Sequence, residues 1–404
     1  MTTRADADRC PGLLRPHQAV DGAVLRVRIP GGRIAAAKLK ALSAASADCA
    51  DGDVQLTSRA NLQLRGVRTT ADGSAAAGLV DALAGAGLLP HPTHERVRNI
   101  VCSPLTGLVG GLADLRPVVA ELDVALCARP DLAALPGPFL FVLDDGRGDV
   151  GVARADVGIL ALSADLVRVW AGGVPGPDVP LAASVAAMIG LGDEFRMRSA
   201  VTERVCWHVR ELAGGGSGLL GTSAEPADLG PGEVAPLGAL TSGDGRVVLS
   251  VLAPLGRLTA PQVGALAEAA VTDALVVTPW RGVLVPDVQE DDASSVLAGL
   301  SATGLIADDR SPWRGVTACP GTRCARGAGD TGALARKIVA ASPRSGQLPV
   351  HVVACARACG RPSRPHVLAV VDRQRVEICC DAGTVETSMQ HAPAMIATRR
   401  EAQP

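Results

Sequence analysis

At 404 residues the chain is long enough for two or three domains, and its 39 basic and 41 acidic side chains nearly cancel, leaving no electrostatic footprint for nucleic acid. Eleven cysteines, an odd number, follow an N-terminal stretch (MTTRADADRCPG) without an apolar core, which argues against a disulfide framework and for the reducing cytoplasm. The apolar run Leu181 to Gly192 is too short and too rich in Ala and Gly to span a bilayer, so no membrane partner is expected.

In chain order, Val24 to Ile29 alternates as a strand, Pro30 and Gly32 turn the chain, and Ile34 to Ala47 has the spacing of an amphipathic helix. Val54 to Gly66 reads as a hairpin-like strand region that carries the polar segment TSRANLQLRG. The run HPTHER gathers His91, His94 and Glu95, and two imidazoles with one carboxylate suit a mononuclear non-haem iron; the same run also suits a helix start with solvated polar groups. Phe139 to Leu143 reads as a buried strand. Leu181 to Leu212 has helical spacing, with Val205, Val209 and Leu212 on one face and Glu203, Arg204 and Glu211 elsewhere. Ala213 to Leu240 is rich in Gly and Pro and reads as a connector. Beyond it come a strand at Val247 to Leu252, helices after Ala260 and after Gly327, and a buried strand at Val350 to Ala354.

The order of these signals repeats. Asp21, Gly22, Pro30, Gly32 and Arg33 are answered by Asp244, Gly245, Pro254, Gly256 and Arg257, and LTSRANLQLRGV by VTPWRGVLVPDV. RNIVCSP (from Arg98) is answered by RGVTACP (from Arg314), and LPGPFLFVLDDG (from Leu135) by LPVHVVACARAC (from Leu348). The offset drifts only from about 223 to 213, as a duplication requires, and two such halves should leave a cleft between them. The expected division is 1–75 and 244–300 as paired half-domains, 76–212 and 301–390 as larger α/β domains, 213–243 as connector and 391–404 as tail.

Chemistry concentrates in the second half. Cys319 and Cys324 lie on one short loop and Cys355 and Cys359 on another, and two loops that each deliver two thiolates can close around a four-iron, four-sulfur cluster. A structural zinc site is the alternative, although neither pair has the CxxC spacing of common zinc ribbons. Matching Leu135 to Leu348 sets Val142 and Gly146 opposite Cys355 and Cys359, and Ser103 falls opposite Cys319, so only the second half carries ligands. No GxGxxG or P-loop follows a strand, so reducing equivalents are expected from an external electron donor.

The TSRANLQLRG and RNIVCSP segments, the paired cysteine loops and the duplication together resemble the nitrite and sulfite reductase family, in which siroheme sits beside a 4Fe-4S cluster. CPGLLRPHQAVDGAVLRVRIPGGRI, LPGPFLFVLDDGRGDV and ACARACGRP are similar to the precorrin-3B synthase branch of that superfamily, and the likeness covers Cys10 to about Asp372. The resemblance implies an α+β fold of two ferredoxin-like half-domains and two α/β domains about a pseudo-twofold axis. It also implies an oxidoreductase that converts precorrin-3A to precorrin-3B with dioxygen, by hydroxylation at carbon 20 of the macrocycle and lactone formation. Arg59 and Arg98 fall where the family holds tetrapyrrole carboxylates, with Asn61 and Arg65 near Arg59 and Arg281 in the repeated segment. Two features depart from the siroheme reductases: only four residues separate Cys319 from Cys324, and Pro138 and Leu140 replace the two lysines that contact the reduced anion. Siroheme-dependent reduction of sulfite or nitrite is the alternative activity.

Overall fold

The computed structural model describes residues 8–202, 205–227, 229, 232, 234–242, 245–362, 365–381 and 383–401. Glu203, Arg204, Asp244 and the expected boundary at 243–244 lie outside those residues, as do the first seven residues and the last three.

The architecture is α+β, with four five-stranded sheets among the described residues. Two sheets are antiparallel and belong to the half-domains. One runs His17–Ala19, Gly22–Val27, Leu62–Val67, Val54–Leu56 and ends on Arg257–Leu258; the other runs Gly238–Thr241, Arg246–Leu252, Gly282–Gln289, Ala274–Val277 and ends on Arg33–Ala35. Each half-domain therefore lends its third strand to the sheet of the other. The residues expected to open a helix at Ile34 instead pair with Ala274–Val276, and the helix begins at Ala36, where the Asp273 carboxylate accepts from the Ala37 N–H at 3.0 Å.

Gly32 makes the exchange possible. Its φ is +74°, and a Cβ at that position would stand 2.2 Å from the Val277 carbonyl oxygen, so only glycine lets the two backbones meet. Beneath the paired sheets, Leu25, Leu39, Leu62, Leu249, Leu266 and Val285 join one hydrophobic core drawn from both halves.

The other two sheets follow one plan twice. Ile100–Cys102, Phe141–Asp144 and Val157–Ala161 are parallel neighbours, and Leu166–Ala171 and Val174–Pro180 continue the sheet antiparallel. Val316–Ala318, Val350–Val353 and Val367–Asp372 repeat the parallel part, and Arg375–Cys380 and Gly383–Ser388 the antiparallel part. Parallel neighbours need a crossover, supplied by helices Arg116–Cys127 and Thr331–Ala341. Each sheet has its own core, around Phe139, Phe141 and Phe195 in the first and around Ile338, Val350 and Ile378 in the second.

Three expectations change. The helix from Ser184 ends at Ala200; Val205 is exposed, and Val209 is buried in a separate short turn, so they share no helical face. The connector is more ordered than its composition implies, because Gly215–Leu220 is helical and buries Leu219 in the first α/β core. The offset between halves also shrinks further than the sequence landmarks show. The Ser103 N–H donates to the Leu143 carbonyl as the Cys319 N–H donates to Val352, which sets Gly146, not Val142, opposite Cys355. No described helix is long and apolar enough to cross a membrane.

Candidate functional site

A cavity of about 800 Å³ opens between the halves, lined by both half-domains and both α/β domains. The two equivalent hairpin tips meet there. In the first, the Thr57 N–H donates to Asn61 O, and Ala60 has φ +54°; in the second, the Thr278 N–H donates to Gly282 O, and Arg281 has φ +64°. That match sets Arg59 opposite Trp280 and Ala60 opposite Arg281, and Arg59, Trp280 and Arg281 all line the cavity.

The lining is cationic. Six arginines (Arg59, Arg154, Arg210, Arg281, Arg314 and Arg361) face two aspartates, Asp149 and Asp156. Burial pushes the pKa of Arg59 and of Arg281 down from the usual arginine range, the signature of cations set apart from water. Arg59 Nη1 donates to the Pro138 carbonyl at 2.9 Å, which fixes the guanidinium against the wall. Leu140 and Val142 supply apolar wall, and Trp280 and Trp313 add flat indoles. A large, flat polycarboxylate matches a pocket of this shape and sign.

The other residues singled out from the sequence have different surroundings. Arg98 does not line this cavity: it is buried against Asp123, with Nε and Nη2 donating to the two carboxylate oxygens at 2.7 and 2.6 Å. Its repeat counterpart Arg314 does line the cavity, and is ion-paired with Asp309. Asn61 is fully buried, accepting from the Ile29 N–H at 2.9 Å and donating to Asn99 at 3.0 Å, so it locks the hairpin and does not face a ligand. Arg65 pairs with Asp21 at 2.8 Å and donates to the carbonyl of Arg323, the residue before Cys324. It thereby ties the first half-domain to a cysteine loop.

His91, His94 and Glu95 do not converge. His91 is exposed. His94 is buried and held by Thr93 Oγ1 at 2.9 Å and the Arg129 carbonyl at 3.0 Å. Glu95 accepts from the Leu13 and Leu14 N–H groups, at 2.5 and 3.1 Å, and burial raises its pKa. Only His94 belongs to the short turn Pro92–His94, with His91 before it and Glu95 after it, and sequence proximity does not bring their donor atoms together.

The four cysteines sit at the ends of two adjacent parallel strands. Cys319 follows Val316–Ala318 and Cys355 follows Val350–Val353, which pair with Ala318 opposite Val352. A tight turn at Gly321–Arg323 then presents Cys324, and Cys359 closes the second loop. All four are free thiols, with Cys359 exposed and the others half-buried. Gly321 has φ +61°, a Cβ there would stand 2.7 Å from the Gly329 carbonyl, and its N–H donates to Cys319 Sγ at 3.4 Å. Burial raises the Cys319 pKa, so a metal core that takes the thiolate offsets that cost. Soft sulfur donors, a backbone donor to sulfur and glycine-lined loops fit an iron-sulfur cluster.

Beneath these loops His351 is fully buried, and burial brings its pKa down to about 4. The neutral ring donates from Nε2 to the Cys359 carbonyl at 3.0 Å, leaving Nδ1 to accept from Thr317 Oγ1 at 2.8 Å. Strand pairing sets His351 beside Thr317, and the cavity's Arg154, Arg210 and Arg361 carry no spacing signal in the sequence.

Fold and comparisons agree on the class. The nitrite/sulfite reductase ferredoxin-like half domain matches twice, at residues 15–72 and 240–303. The chain thus carries two half-domains of the nitrite/sulfite reductase ferredoxin-like type, which exchange strands and carry two α/β domains. Among solved structures, the NirA protein of Mycobacterium tuberculosis superposes with a TM-score of 0.69 over 93% of this chain and 79% of that one, at 17% identity, a likeness of fold. Among curated proteins, a precorrin-3B synthase of Sinorhizobium sp. is 25% identical over 386 residues, covering 90% of this chain and 80% of its own length.

Proposed function

We propose that this chain is a precorrin-3B synthase: a cytoplasmic monooxygenase of cobalamin biosynthesis that takes precorrin-3A and dioxygen as substrates. One oxygen atom enters the macrocycle as a hydroxyl at carbon 20, a lactone closes, and two electrons with two protons reduce the second oxygen atom to water. The observation that carries this reading is the arginine-lined cavity, together with likeness over nearly the whole chain to a protein of that name.

In this reading Arg59, Arg281 and Arg314 hold the acetate and propionate groups, and Trp280 and Trp313 lie against the macrocycle. Arg98, Asn61 and Arg65 act at one remove, since the Arg98 donors are taken by Asp123, the Asn61 amide accepts from Ile29 and donates to Asn99, and the Arg65 donors are taken by Asp21 and Arg323. Cys319, Cys324, Cys355 and Cys359 would hold a 4Fe-4S cluster, which would supply one-electron chemistry fed by an external donor. His351 fixes the Cys359 carbonyl, and Arg65 fixes the Arg323 carbonyl, so both loops keep their thiols in place. His91, His94 and Glu95 are too dispersed to hold a mononuclear iron.

Reduction of sulfite or nitrite demands cations around a small anion. Pro138 instead gives its carbonyl to Arg59, and Leu140 presents apolar wall. Purified, reduced enzyme should consume dioxygen only when precorrin-3A is supplied, and should leave sulfite and nitrite unreduced with a strong artificial donor. Rapid anaerobic sulfite turnover without oxygen consumption would overturn the proposal.

A further inference from the structure

The first α/β domain has its own side-chain cluster where the second has cysteines. Ser103 takes the place of Cys319, and continuing the same register along the next strand sets Gly146 opposite Cys355 and Asp149 one residue before the place of Cys359. Asp144, Asp145 and Asp149 converge there: one carboxylate oxygen of each lies within 4.8 Å of the others. Asp144 and Asp145 are wholly buried, and the side chain of Asp149 is 1% exposed.

Internal hydrogen bonds satisfy only part of this cluster. Asp144 Oδ1 accepts from the Gly146 and Gly148 N–H groups at 3.0 and 2.9 Å, and Asp149 Oδ1 from Ser103 Oγ at 2.7 Å. Asp145 is paired at both oxygens with Arg147, at 2.8 Å each. Asp144 Oδ2 and Asp149 Oδ2 are buried with no hydrogen-bond partner, and the Arg147 Nε lies 4.0 Å from the latter. Three carboxylates against one guanidinium leave two negative charges, and two buried oxygens without donors call for either protons or a cation.

We infer that Asp144, Asp145 and Asp149 bind one small divalent cation of the hard, oxygen-seeking class, such as Mg²⁺ or Mn²⁺, in the first-half counterpart of the cysteine loops. Two uncompensated charges match one divalent ion, and the donors are all oxygen, with Ser103 Oγ holding Asp149 in place. Gly148, Asp149 and Val150 line the large cavity, so water can complete the ion's shell from that side. This inference does not depend on the identity of the tetrapyrrole.

The test is a Mn²⁺ titration of the full-length, chelator-washed protein with its iron and sulfide retained, following the electron paramagnetic resonance of free Mn²⁺. Saturable binding near one ion per chain is expected. Asp144→Asn and Asp149→Asn should each weaken it roughly tenfold or more, and the exposed Asp291→Asn should leave it unchanged. Circular dichroism and unaltered iron and sulfide content establish that the variants fold. Ser103→Ala keeps all three carboxylates and should weaken binding less than either Asp variant. No saturable binding in the wild-type protein, or equal binding in both Asp variants, would overturn the inference. Absent binding combined with a higher melting temperature in Asp149→Asn would identify the cluster as a site for protons alone. Any of these results leaves the cysteine loops and the arginine-lined cavity, and hence the proposed function, to be judged separately.

Discussion

The two α/β domains share a strand order and a crossover helix, yet the loops at the ends of their equivalent parallel strands hold opposite chemistry. The second presents Cys319 and Cys355, soft and neutral as thiols; the first presents Ser103 and three buried aspartates. The strand frame thus fixes where ligands stand and leaves the loop residues to decide what they bind. The half-domains show the opposite tendency. They exchange strands into one core, so their equivalence is bound by packing, and even there Arg59 faces the cavity where its counterpart is Trp280.

The largest effect expected from breaking this comparison lies at the thiols. Cys355→Ser should abolish most iron and sulfide content, whereas Cys127→Ala, at the end of the crossover helix of the first half, should retain both on elemental analysis. Full cluster occupancy in the serine variant would show that the second half is not the cluster domain.

Gly32 and Gly256 sharpen the comparison of the half-domains. Both have positive φ, but a Cβ on Gly32 meets the Val277 backbone at 2.2 Å, while one on Gly256 meets the Arg281 side chain, whose Cδ is 2.5 Å away. Gly32→Ala should therefore destabilise by about 3 kcal/mol or more, and Gly256→Ala by about 1–2 kcal/mol, in denaturant unfolding. Equal losses would mean that the strand exchange is looser than the backbone contact implies.

Arg59 and Arg98 separate binding from support. Losing a charge-assisted contact to a partly buried carboxylate costs about 2 kcal/mol, or tens-fold in affinity. Arg59→Ala should weaken precorrin-3A binding by that much with little change in melting temperature. Arg98→Ala should lower the melting temperature, since it leaves the Asp123 carboxylate without its two charged donors, and should change affinity less. The smallest effect is expected from Arg65→Lys, which keeps the charge beside Asp21 but loses the fork that also reaches Arg323. Its signature should be faster cluster loss on storage, with substrate affinity unchanged.

Much of this organisation is legible in the sequence. The duplication, the strands ending at the cysteines and the four thiols all follow from local patterns. The exchange of Arg33–Ala35 is not legible, because a three-residue strand next to a helix has no period of its own and is defined by its partner Ala274–Val277. Apolar spacing alone reads Val205, Val209 and Leu212 as a helical face, although the helix has already ended at Ala200. The role of Arg98 depends on Asp123, twenty-five residues away, and no spacing rule links the two. DDGRGD reads locally as a polar turn, and only burial reveals carboxylate oxygens without partners.

The central claim is that the arginine-lined cavity holds a tetrapyrrole for oxygenation and not a siroheme for anion reduction. It is tested most directly by turnover of precorrin-3A under heavy-isotope dioxygen in ordinary water, with mass spectrometry of the product. One heavy oxygen atom per molecule in the new hydroxyl is predicted. An unlabelled hydroxyl, or product formed equally well without dioxygen, would contradict it.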